Sequence, residues 1–482
     1  MREANTMGLL RALNKIRGGY PGGWKRYARG YQGDRPPPFV QPHDPDDRRS
    51  LIPAQGLREY WYPALPAKAV SWRKPVGLRL LGTDLVFFRN THGEVQALWD
   101  YCPHRGVYLS LGKCVWRGYL SCAYHGATFN GKGECVEFIT EGPDSKMVGR
   151  LQARTFPTRT LKGMVFVWMG EEEPAPIEAD VPPELFEADE RTTVFHTIRY
   201  WHCNWMIALE NTLDAHNCFW VHRNAIIQLR NRFGGRPRTP LGYRTKFVNN
   251  KAAVMADRGG AANYYAKDDT IPYQMYYPRT GGYWPPTRLR LLWIWFFEWR
   301  NRRKQNPPKF ETPEEWAGGL HLPSMQRLFS GGPGAMYTRW CVPVEEGLTR
   351  VVYFRSRRVR THVGRLWQRL AFHLYRNWLQ NYNFSDQDYD AMYSARYQYP
   401  EYLSATDSHV VAQRRLITEH ARGLKRSVQV AEMTTAEHLV AEGHALLEVP
   451  QHGGQVLTNG GTNGAGTAAE AKAGTGQTPS NA

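Results

Sequence analysis

The chain has 482 residues, of which 42% are hydrophobic and 13% aromatic, so it can bury a large core and form two or three domains. Its net charge of +18 is compatible with simple solubility or with a surface that attracts acidic partners, but no zinc-finger array or RNA-binding signature accompanies it, and we expect no nucleic-acid partner. Seven cysteines in this length argue against a secreted disulfide scaffold and for a reducing compartment.

The N-terminal segment, residues 1–54, is rich in Gly, Pro and Arg and is predicted to form an extended arm. It is basic but lacks the long apolar run and the cleavage site of a signal peptide. The most apolar window, 288–299, is too short to span a bilayer and contains Arg290 and Glu298. We interpret that window as a buried strand, and we expect a cytoplasmic protein without a membrane partner.

Residues 55–172 have the pattern of a small all-β domain. Short runs rich in β-branched and aromatic residues are separated by turn sequences such as THGE and NGKGE. These runs are EYWYPAL, GLRLLGTDLVFFRN, EVQALWDYC and GMVFVWMG. The acidic, proline-containing segment 170–185 predicts a linker to the next domain.

Residues 173–440 predict an α+β domain. The stretch 203–222 has helical length and no Pro or Gly, so it predicts a helix. Strands are expected around 243–255, 288–299 and 336–356, followed by a long helical stretch over 362–395 and another helix near 405–423. The C-terminal tail, 441–482, becomes a low-complexity segment of Gly, Ala, Thr and Asn and is predicted to be disordered.

Two Cys–His pairs lie close together in the β domain. One residue separates Cys102 from His104, two separate Cys122 from His125, and a glycine follows each histidine within two residues. Such a set can hold one tetrahedral zinc ion, or a Rieske [2Fe–2S] cluster with two thiolates on one iron and two imidazoles on the other. The cluster is favoured, because zinc ribbons normally use C-x2-C pairs and each arm here supplies one sulfur and one nitrogen.

The pattern C-x-H-x17-C-x2-H, with Arg-Gly after the first histidine and Gly after the second, resembles the Rieske non-haem iron ring-hydroxylating oxygenases. The resemblance implies that the four residues hold a [2Fe–2S] cluster, and that a helix-grip (START-like) catalytic domain with one mononuclear Fe(2+) follows. It implies the α-subunit, or terminal oxygenase component, which hydroxylates an aromatic or other hydrophobic small molecule with O2. Electrons from NAD(P)H would arrive through a ferredoxin or a ferredoxin reductase.

A second motif, NWMIALENTLDAHNCFWVH, resembles the iron-binding signature N-W-x4-E-N-x2-D-x2-H-x(3 or 4)-H of the same family. The match implies that His222 is an iron ligand. The other histidine is expected at position 217, which is Asn217 here, and His216 stands one residue early. We favour His216 as the ligand through a local helical bulge, with Asn217 as a weak oxygen ligand in the alternative.

The resemblance also implies a carboxylate ligand far downstream, in NFSDQDYDAMYSA. Asp388 stands at the family's position, four residues after Phe384, and Asp386 is the second choice. In this family the aspartate that matches Asp214 links a cluster histidine of one subunit to an iron histidine of its neighbour. That role implies a head-to-tail ring, most often a homotrimer.

The similarity extends from about Trp61 to Gly423 and is greatest to oxygenases of the carbazole 1,9a-dioxygenase type. Residues 257–335 depart most from that type, and we expect them to line or cap the substrate pocket, so the substrate itself is not implied. One rival interpretation is a Rieske electron-transfer protein with a non-catalytic second domain. A zinc-stabilised interaction module is a weaker rival.

Overall fold

The computed structural model describes residues 39–44, 46–211, 243–248, 252–258, 313–329, 334–359, 361–382, 384–403 and 407–424, together with Leu292 and Phe296. Asp214, His216, Asn217 and His222 lie outside these residues, as do most of the predicted arm and the whole C-terminal tail. Within the described part, no helix is long and apolar enough to cross a bilayer.

The described strands form four sheets, in which every pair is antiparallel. The strands are β1 Trp61–Pro66, β2 Val76–Leu80, β3 Thr83–Arg89, β4 Val95–Trp99, β5 Leu120–Ser121, β6 Ala127–Phe129, β7 Cys135–Phe138, β8 Thr155–Phe156, β9 Thr158–Leu161, β10 Met164–Trp168, β11 Thr192–Trp201, β12 Tyr243–Val248, β13 Ala252–Arg258, β14 Gly319–His321, β15 Met325–Phe329, β16 Ala335–Glu345 and β17 Leu348–Arg358.

The α-helices of the described residues are α1 Trp205–Glu210, α2 His362–Ala371, α3 Ser385–Met392 and α4 Ser408–His420. Two wide π-helical turns, Phe372–Arg376 and Trp378–Tyr382, continue α2 towards α3. The predicted helical stretch 362–395 is therefore helical, but it is not one regular α-helix.

The N-terminal domain is all β, as its sequence predicts. Its sheets have the orders β1-β10-β9, β2-β3-β4-β8 and β5-β6-β7. The predicted runs form β1, the β2–β3 hairpin, β4 and β10. Strands β3 and β10 are almost continuously buried, and β10 belongs to the core cluster that also contains residues of the C-terminal sheet.

The C-terminal domain is built on one antiparallel sheet with the order β11-β17-β16-β15-β14-β13-β12. Helices cover one face: the Tyr353 hydroxyl of β17 lies 2.6 Å from the Ser385 hydroxyl at the start of α3. The other face packs against the N-terminal domain, where the Phe166 ring of β10 lies 5.8 Å from the Trp340 ring of β16. Side chains of the two domains thus belong to one hydrophobic core, and the chain has the predicted α+β architecture.

The segment 170–185 is not a free linker, in contrast to the prediction from its composition. Val181 is fully buried, and two buried acidic residues make ion pairs with arginines of the C-terminal domain. Asp180 accepts from Arg422 at 2.6 Å, and Glu184 accepts both hydrogen bonds of a bidentate pair with Arg327 at 2.9 and 3.0 Å. The acidic composition therefore provides partners for buried arginines.

Three further expectations need revision in detail. Leu292 and Phe296, in the window predicted as a buried strand, are helical, and Leu292 is 63% exposed. Short apolar runs occur in strands and in helices, so the sequence pattern could not distinguish the two. The region around 243–255 contains two strands, β12 and β13, and 336–356 contains the β16–β17 hairpin.

Residues 46–54 of the predicted arm are folded onto the C-terminal domain. Arg49 is buried, and its guanidinium donates to the main-chain oxygens of Tyr397 at 2.6 Å and Tyr399 at 3.1 Å. The Asp47 carboxylate receives a further hydrogen bond from Arg49 at 2.7 Å. This stretch therefore helps to anchor the segment that connects α3 to α4.

Candidate iron centres

Two loops with the same backbone pattern carry the predicted cluster ligands. In each loop a glycine N–H donates to the carbonyl of the cysteine four residues earlier: Gly106 to Cys102 at 2.8 Å, and Gly126 to Cys122 at 3.2 Å. Both glycines have left-handed backbones, with φ of 68° and 72°. Glycine adopts this conformation without steric cost, which allows both loops to turn tightly at equivalent positions.

The four side chains separate into a buried sulfur pair and an outer imidazole pair. Cys102 and Cys122 are buried, and a hydrogen bond between their thiols raises the pKa of Cys102 and lowers that of Cys122. The partly exposed rings of His104 and His125 lie side by side, with their centroids 4.7 Å apart. This donor set fits a Rieske cluster, whose inner iron takes two thiolates and whose outer iron takes two imidazoles.

Neighbouring aromatic rings hold the two imidazoles in place. The Phe138 ring at the end of β7 lies 5.2 Å from the ring of His104, and the Tyr124 ring lies 3.8 Å from that of His125. Burial lowers the pKa of His104, and the charges of His125 and Arg105 lower it further, which favours the neutral imidazole needed for metal ligation. Among the described residues, no three His, Cys, Asp or Glu side chains gather around a single ion position.

The first half of the second motif anchors a short helix. The Asn204 side-chain oxygen caps α1, while its amide nitrogen donates to the carbonyls of Ala54 at 2.9 Å and Glu346 at 2.8 Å. The Trp205 indole N–H donates to the carbonyl of Pro53 at 3.0 Å. These residues therefore fix the start of α1 between the N-terminal segment and the β16–β17 hairpin.

Glu210, at the end of α1, makes a buried ion pair with Arg414 that the sequence motif did not predict. Arg414 of α4 donates to both Glu210 carboxylate oxygens, at 2.7 and 2.9 Å, and also to both oxygens of Glu401, at 2.6 and 3.0 Å. Burial raises the pKa of Glu210, opposed by Arg414. No signal in the sequence around Arg414 indicates this partner, which is 204 residues away.

Asp388 is the predicted iron ligand that the structure describes, and it lies beside the motif. It is 5% exposed on α3, and the Asn211 side-chain amide, directly after α1, donates to its carboxylate at 3.4 Å. Asp388 is on the helix whose first residue, Ser385, lies 2.6 Å from the Tyr353 hydroxyl of β17, so the carboxylate is on the helix-covered side of the sheet. The side chain of Asp386 is outside the described residues.

Two family models match the chain next to each other: the Rieske [2Fe–2S] domain at residues 60–157, and the homotrimeric ring hydroxylase at residues 168–272. The chain therefore contains a Rieske [2Fe–2S] domain followed by a region that matches the homotrimeric ring hydroxylase family. The first model includes both Cys–His loops, and the second includes the whole NWMIALENTLDAHNCFWVH motif. A Rieske [2Fe–2S] cluster and a mononuclear iron are the cofactors of this family.

The chain is 37% identical over 174 residues to the terminal oxygenase component of carbazole 1,9a-dioxygenase from Sphingomonas sp., a match that covers 36% of this chain and 45% of the relative. It is 34% identical over 168 residues to the oxygenase subunit of 3-chlorobenzoate-3,4-dioxygenase from Comamonas testosteroni, covering 34% and 38%. The chain thus matches less than half the length of these curated relatives.

The fold is also found in a solved structure, the reduced complex between oxygenase and ferredoxin in carbazole 1,9a-dioxygenase. The TM-score is 0.59 at 21% identity, and the match covers 79% of this chain and 94% of the solved one. Because the match includes most of both chains, the protein has the two-domain fold that its sequence predicts.

Proposed function

We propose that the protein is the terminal oxygenase component of a multicomponent Rieske oxygenase. It hydroxylates an aromatic or other hydrophobic small molecule, using O2 and electrons derived from NAD(P)H. The proposal rests on two features that occur in one chain. The first is the pair of loops with the donor set for a cluster, and the second is the buried carboxylate of Asp388 on α3, which lies beside the end of α1. When bound, the cluster supplies electrons and the mononuclear iron supplies the site of O2 chemistry.

Each site residue has a role in this proposal. Cys102, His104, Cys122 and His125 hold the cluster. His216, His222 and Asp388 hold the mononuclear iron, with Asn217 and Asp386 as the alternatives to the first and third of these. Asp214 accepts hydrogen bonds from ring N–H groups of histidine ligands and so connects the two centres between subunits.

Two described contacts support the arrangement of the second centre. The side-chain amide of Asn211 donates to the Asp388 carboxylate at 3.4 Å, which holds that carboxylate beside the end of α1. The ion pair between Glu210 and Arg414 fixes the end of α1, directly before the segment with the two histidines. A ligand segment that starts from a fixed helix end loses less freedom when it binds iron.

The partners in this proposal are O2, a small-molecule substrate, and a ferredoxin or ferredoxin reductase. The net charge of +18 supports an acidic redox protein as electron donor, because opposite charges accelerate association. We propose a cytoplasmic homotrimer in which the cluster domain spans 55–172 and the catalytic domain 173–440.

The carboxylate assignment is tested by comparing Asp388→Ala with Asp386→Ala. The unchanged protein should contain about three irons and two acid-labile sulfides per chain. Asp388→Ala should lose about one iron and nearly all substrate-coupled oxygen uptake, while its visible cluster absorption stays the same. Asp386→Ala should keep its iron and most of its activity, and His222→Ala should behave like Asp388→Ala.

Iron and sulfide analysis also separates the rival functions. A Rieske electron carrier with a non-catalytic second domain would contain about two irons per chain, and a zinc module would contain none. Normal oxygen uptake in both Asp388→Ala and His222→Ala would show that the ligands have been wrongly assigned.

A further inference from the structure

Arg339 of β16 is a buried arginine to which the proposed reaction gives no role. It is 3% exposed, and within the described part of the chain it makes no ion pair with a carboxylate. Its Nη2 donates to the Ala208 carbonyl of α1 at 3.1 Å, and its buried Nε has no hydrogen-bond partner among the described residues. A buried guanidinium is costly to desolvate, so its place in the core needs a reason in the residues around it.

The first contact of Arg339 fixes the end of α1. This helix is six residues long, and its last carbonyls have no partner inside the helix. The Asn211 N–H donates to the carbonyls of Ile207 and Leu209. The Ala208 carbonyl between them accepts from Arg339, whose positive charge also stabilises the negative end of the helix dipole. Arg339 therefore holds the last turn of α1 on the sheet, directly before the segment that carries the predicted histidine ligands.

The second contact of this arginine is with two aromatic rings that support α3. Its guanidinium carbon lies 4.4 Å from the ring centroid of Trp201 and 5.9 Å from that of Tyr353. The Trp201 ring lies 5.8 Å from that of Tyr389, the residue after Asp388 on α3. The Tyr353 hydroxyl lies 2.6 Å from the hydroxyl of Ser385, the first residue of that helix. Because a guanidinium is attracted to ring faces, the rings under α3 and the end of α1 are held by the same charged group.

The charge of Asp388 also acts on Arg339. Burial lowers the pKa of Arg339, but nearby groups, the Cys341 thiol first and the Asp388 carboxylate among the others, outweigh it and raise the pKa above its ordinary value. Of these two residue types only aspartate ordinarily carries a negative charge at neutral pH. The guanidinium therefore stays charged, and its field reaches the carboxylate that is proposed as an iron ligand.

The hydrogen bond that joins the end of α1 directly to α3 is a weak one. The Asn211 amide donates to the Asp388 carboxylate at 3.4 Å, which is long for a hydrogen bond. Such a contact does not by itself fix the separation of the two elements. The sheet below them adds a second connection, where Arg339 meets both α1 and the rings under α3.

We propose that Arg339 is a positioning residue of the mononuclear iron site. It holds the last turn of α1 at a fixed distance from α3, so that Asp388 and the start of the histidine segment are in place before iron binds. Ligands that are already in place lose less freedom on binding, and iron is then bound more tightly. This inference rests on the proposed function, and it adds a residue that raises iron affinity without being a ligand.

The test uses the full-length protein with its cluster in place and its mononuclear metal removed by a chelator. Anaerobic calorimetric titration with Fe(2+) gives the dissociation constant of the site. Arg339→Gln should bind Fe(2+) roughly 10–100-fold more weakly than the unchanged protein, which is the range for losing a residue that orients metal ligands. Arg339→Met, which leaves no polar group to bury, is the second variant and should show the same loss. Arg339→Lys keeps the charge and a donor for the Ala208 carbonyl, and it should restore most of the affinity.

Arg350→Gln is the matched control, because Arg350 is an arginine of the same sheet and is also 3% exposed. Arg350 pairs with Val342 and Arg339 with Tyr353, so the two arginines lie on opposite faces of the sheet. Arg350→Gln should bind Fe(2+) as tightly as the unchanged protein does.

Hydrogen exchange in the metal-free protein measures the anchoring of α1 without iron. Amides of residues 205–211 should exchange roughly tenfold faster in Arg339→Gln, because a hydrogen bond to a charged group is lost. The same amides should exchange at the unchanged rate in Arg350→Gln.

Unchanged Fe(2+) affinity in Arg339→Gln and Arg339→Met would overturn the proposal. So would an equal loss of affinity in Arg350→Gln, since general destabilisation of the sheet would then explain it. If the unchanged protein itself binds no Fe(2+) beyond its cluster, the proposed function is contradicted, and this role of Arg339 with it.

Discussion

At the scale of single residues, the two ligand loops are alike in backbone but differ in what surrounds their glycines. A Cβ on Gly106 would have no heavy atom within 4 Å, whereas a Cβ on Gly126 would lie 2.6 Å from the Cβ of Ile139. The second loop therefore depends on glycine for space as well as for its left-handed backbone. Ile139 follows Phe138, which also packs against the imidazoles, so a shift there would reach the cluster ligands.

We predict that Gly126→Ala strongly reduces the cluster content and that Gly106→Ala does not. Both variants acquire backbone strain of about 1 to 2 kcal/mol, but only Gly126→Ala also has to displace a β-branched side chain. The measurement is sulfide per chain together with visible absorption. Equal losses of sulfide in the two variants would mean that backbone strain, and not the contact with Ile139, determines the cluster content.

At the scale of elements, packing determines features that local patterns do not contain. The stretch 362–395 has a helical composition throughout, yet it widens into π-helical turns where Phe372 stacks on Phe195 and Arg376 lines a narrow cavity between the helical segment and the sheet. Periodicity predicts a helix but not a change in its pitch, because the wider turn depends on what the helix packs against.

Strand β14, which pairs with β13 and β15 inside the sheet, contains a buried histidine with a consequence for acid stability. His321 of β14 is 3% exposed, its ring stacks on that of Trp316, and its Nε2–H donates to the Ala317 carbonyl at 3.0 Å. Burial and, to a smaller extent, the charge of Arg327 together lower the pKa of His321 to about 3. Between that value and the ordinary pKa of about 6.5, the unfolded chain binds a proton that the folded chain does not.

We therefore predict that the stability supplied by neutral His321 is complete above pH ~6.5 and decreases below it. The loss approaches about 1.4 kcal/mol per pH unit. His321→Gln removes this proton linkage, so its apparent unfolding temperature should fall less between pH 7.5 and pH 5.5, measured by far-ultraviolet circular dichroism.

His92→Gln, in an exposed turn of the N-terminal domain, is the control for that measurement and should keep the full pH dependence. If the unfolding temperatures of His321→Gln and His92→Gln fall by the same amount between pH 7.5 and pH 5.5, another group causes the acid sensitivity.

At the scale of the whole molecule, the two domains form one packed unit. Phe166 is fully buried, and its ring lies 5.8 Å from that of Trp340 and 6.1 Å from that of Phe354, both in the C-terminal sheet. The ion pairs of Asp180 and Glu184 add polar contacts along the same boundary. The cluster domain therefore has a defined position on the sheet.

We predict that Phe166→Ala destabilises both domains together, by about 3 to 5 kcal/mol. Loss of cluster absorption and loss of far-ultraviolet circular dichroism should shift to lower temperature in parallel. Val136→Ala, at a partly exposed position of β7, should change neither. Bleaching of the cluster at an unchanged temperature, while the rest of the protein melts earlier, would show that the domains unfold independently.

The sequence alone predicted Cys102, His104, Cys122 and His125 as cluster ligands, because they lie in one short stretch and their loops are formed by local turns. It also predicted that the first domain is all β and the second α+β, from short runs of β-branched and aromatic residues and from longer stretches of helical length. It further pointed to Asp388, but only through resemblance to a known family.

The contacts between residues far apart in the sequence are seen only in the folded chain. Asn211 and Asp388 are 177 residues apart, and Glu184 and Arg327 are 143 apart. Arg355 of the sheet and Arg376 of the helical segment likewise line one cavity only because of how that segment packs on the sheet. Local patterns specify turns and strands, whereas contacts between remote segments arise from the packing of a shared core, and a single sequence does not state that packing.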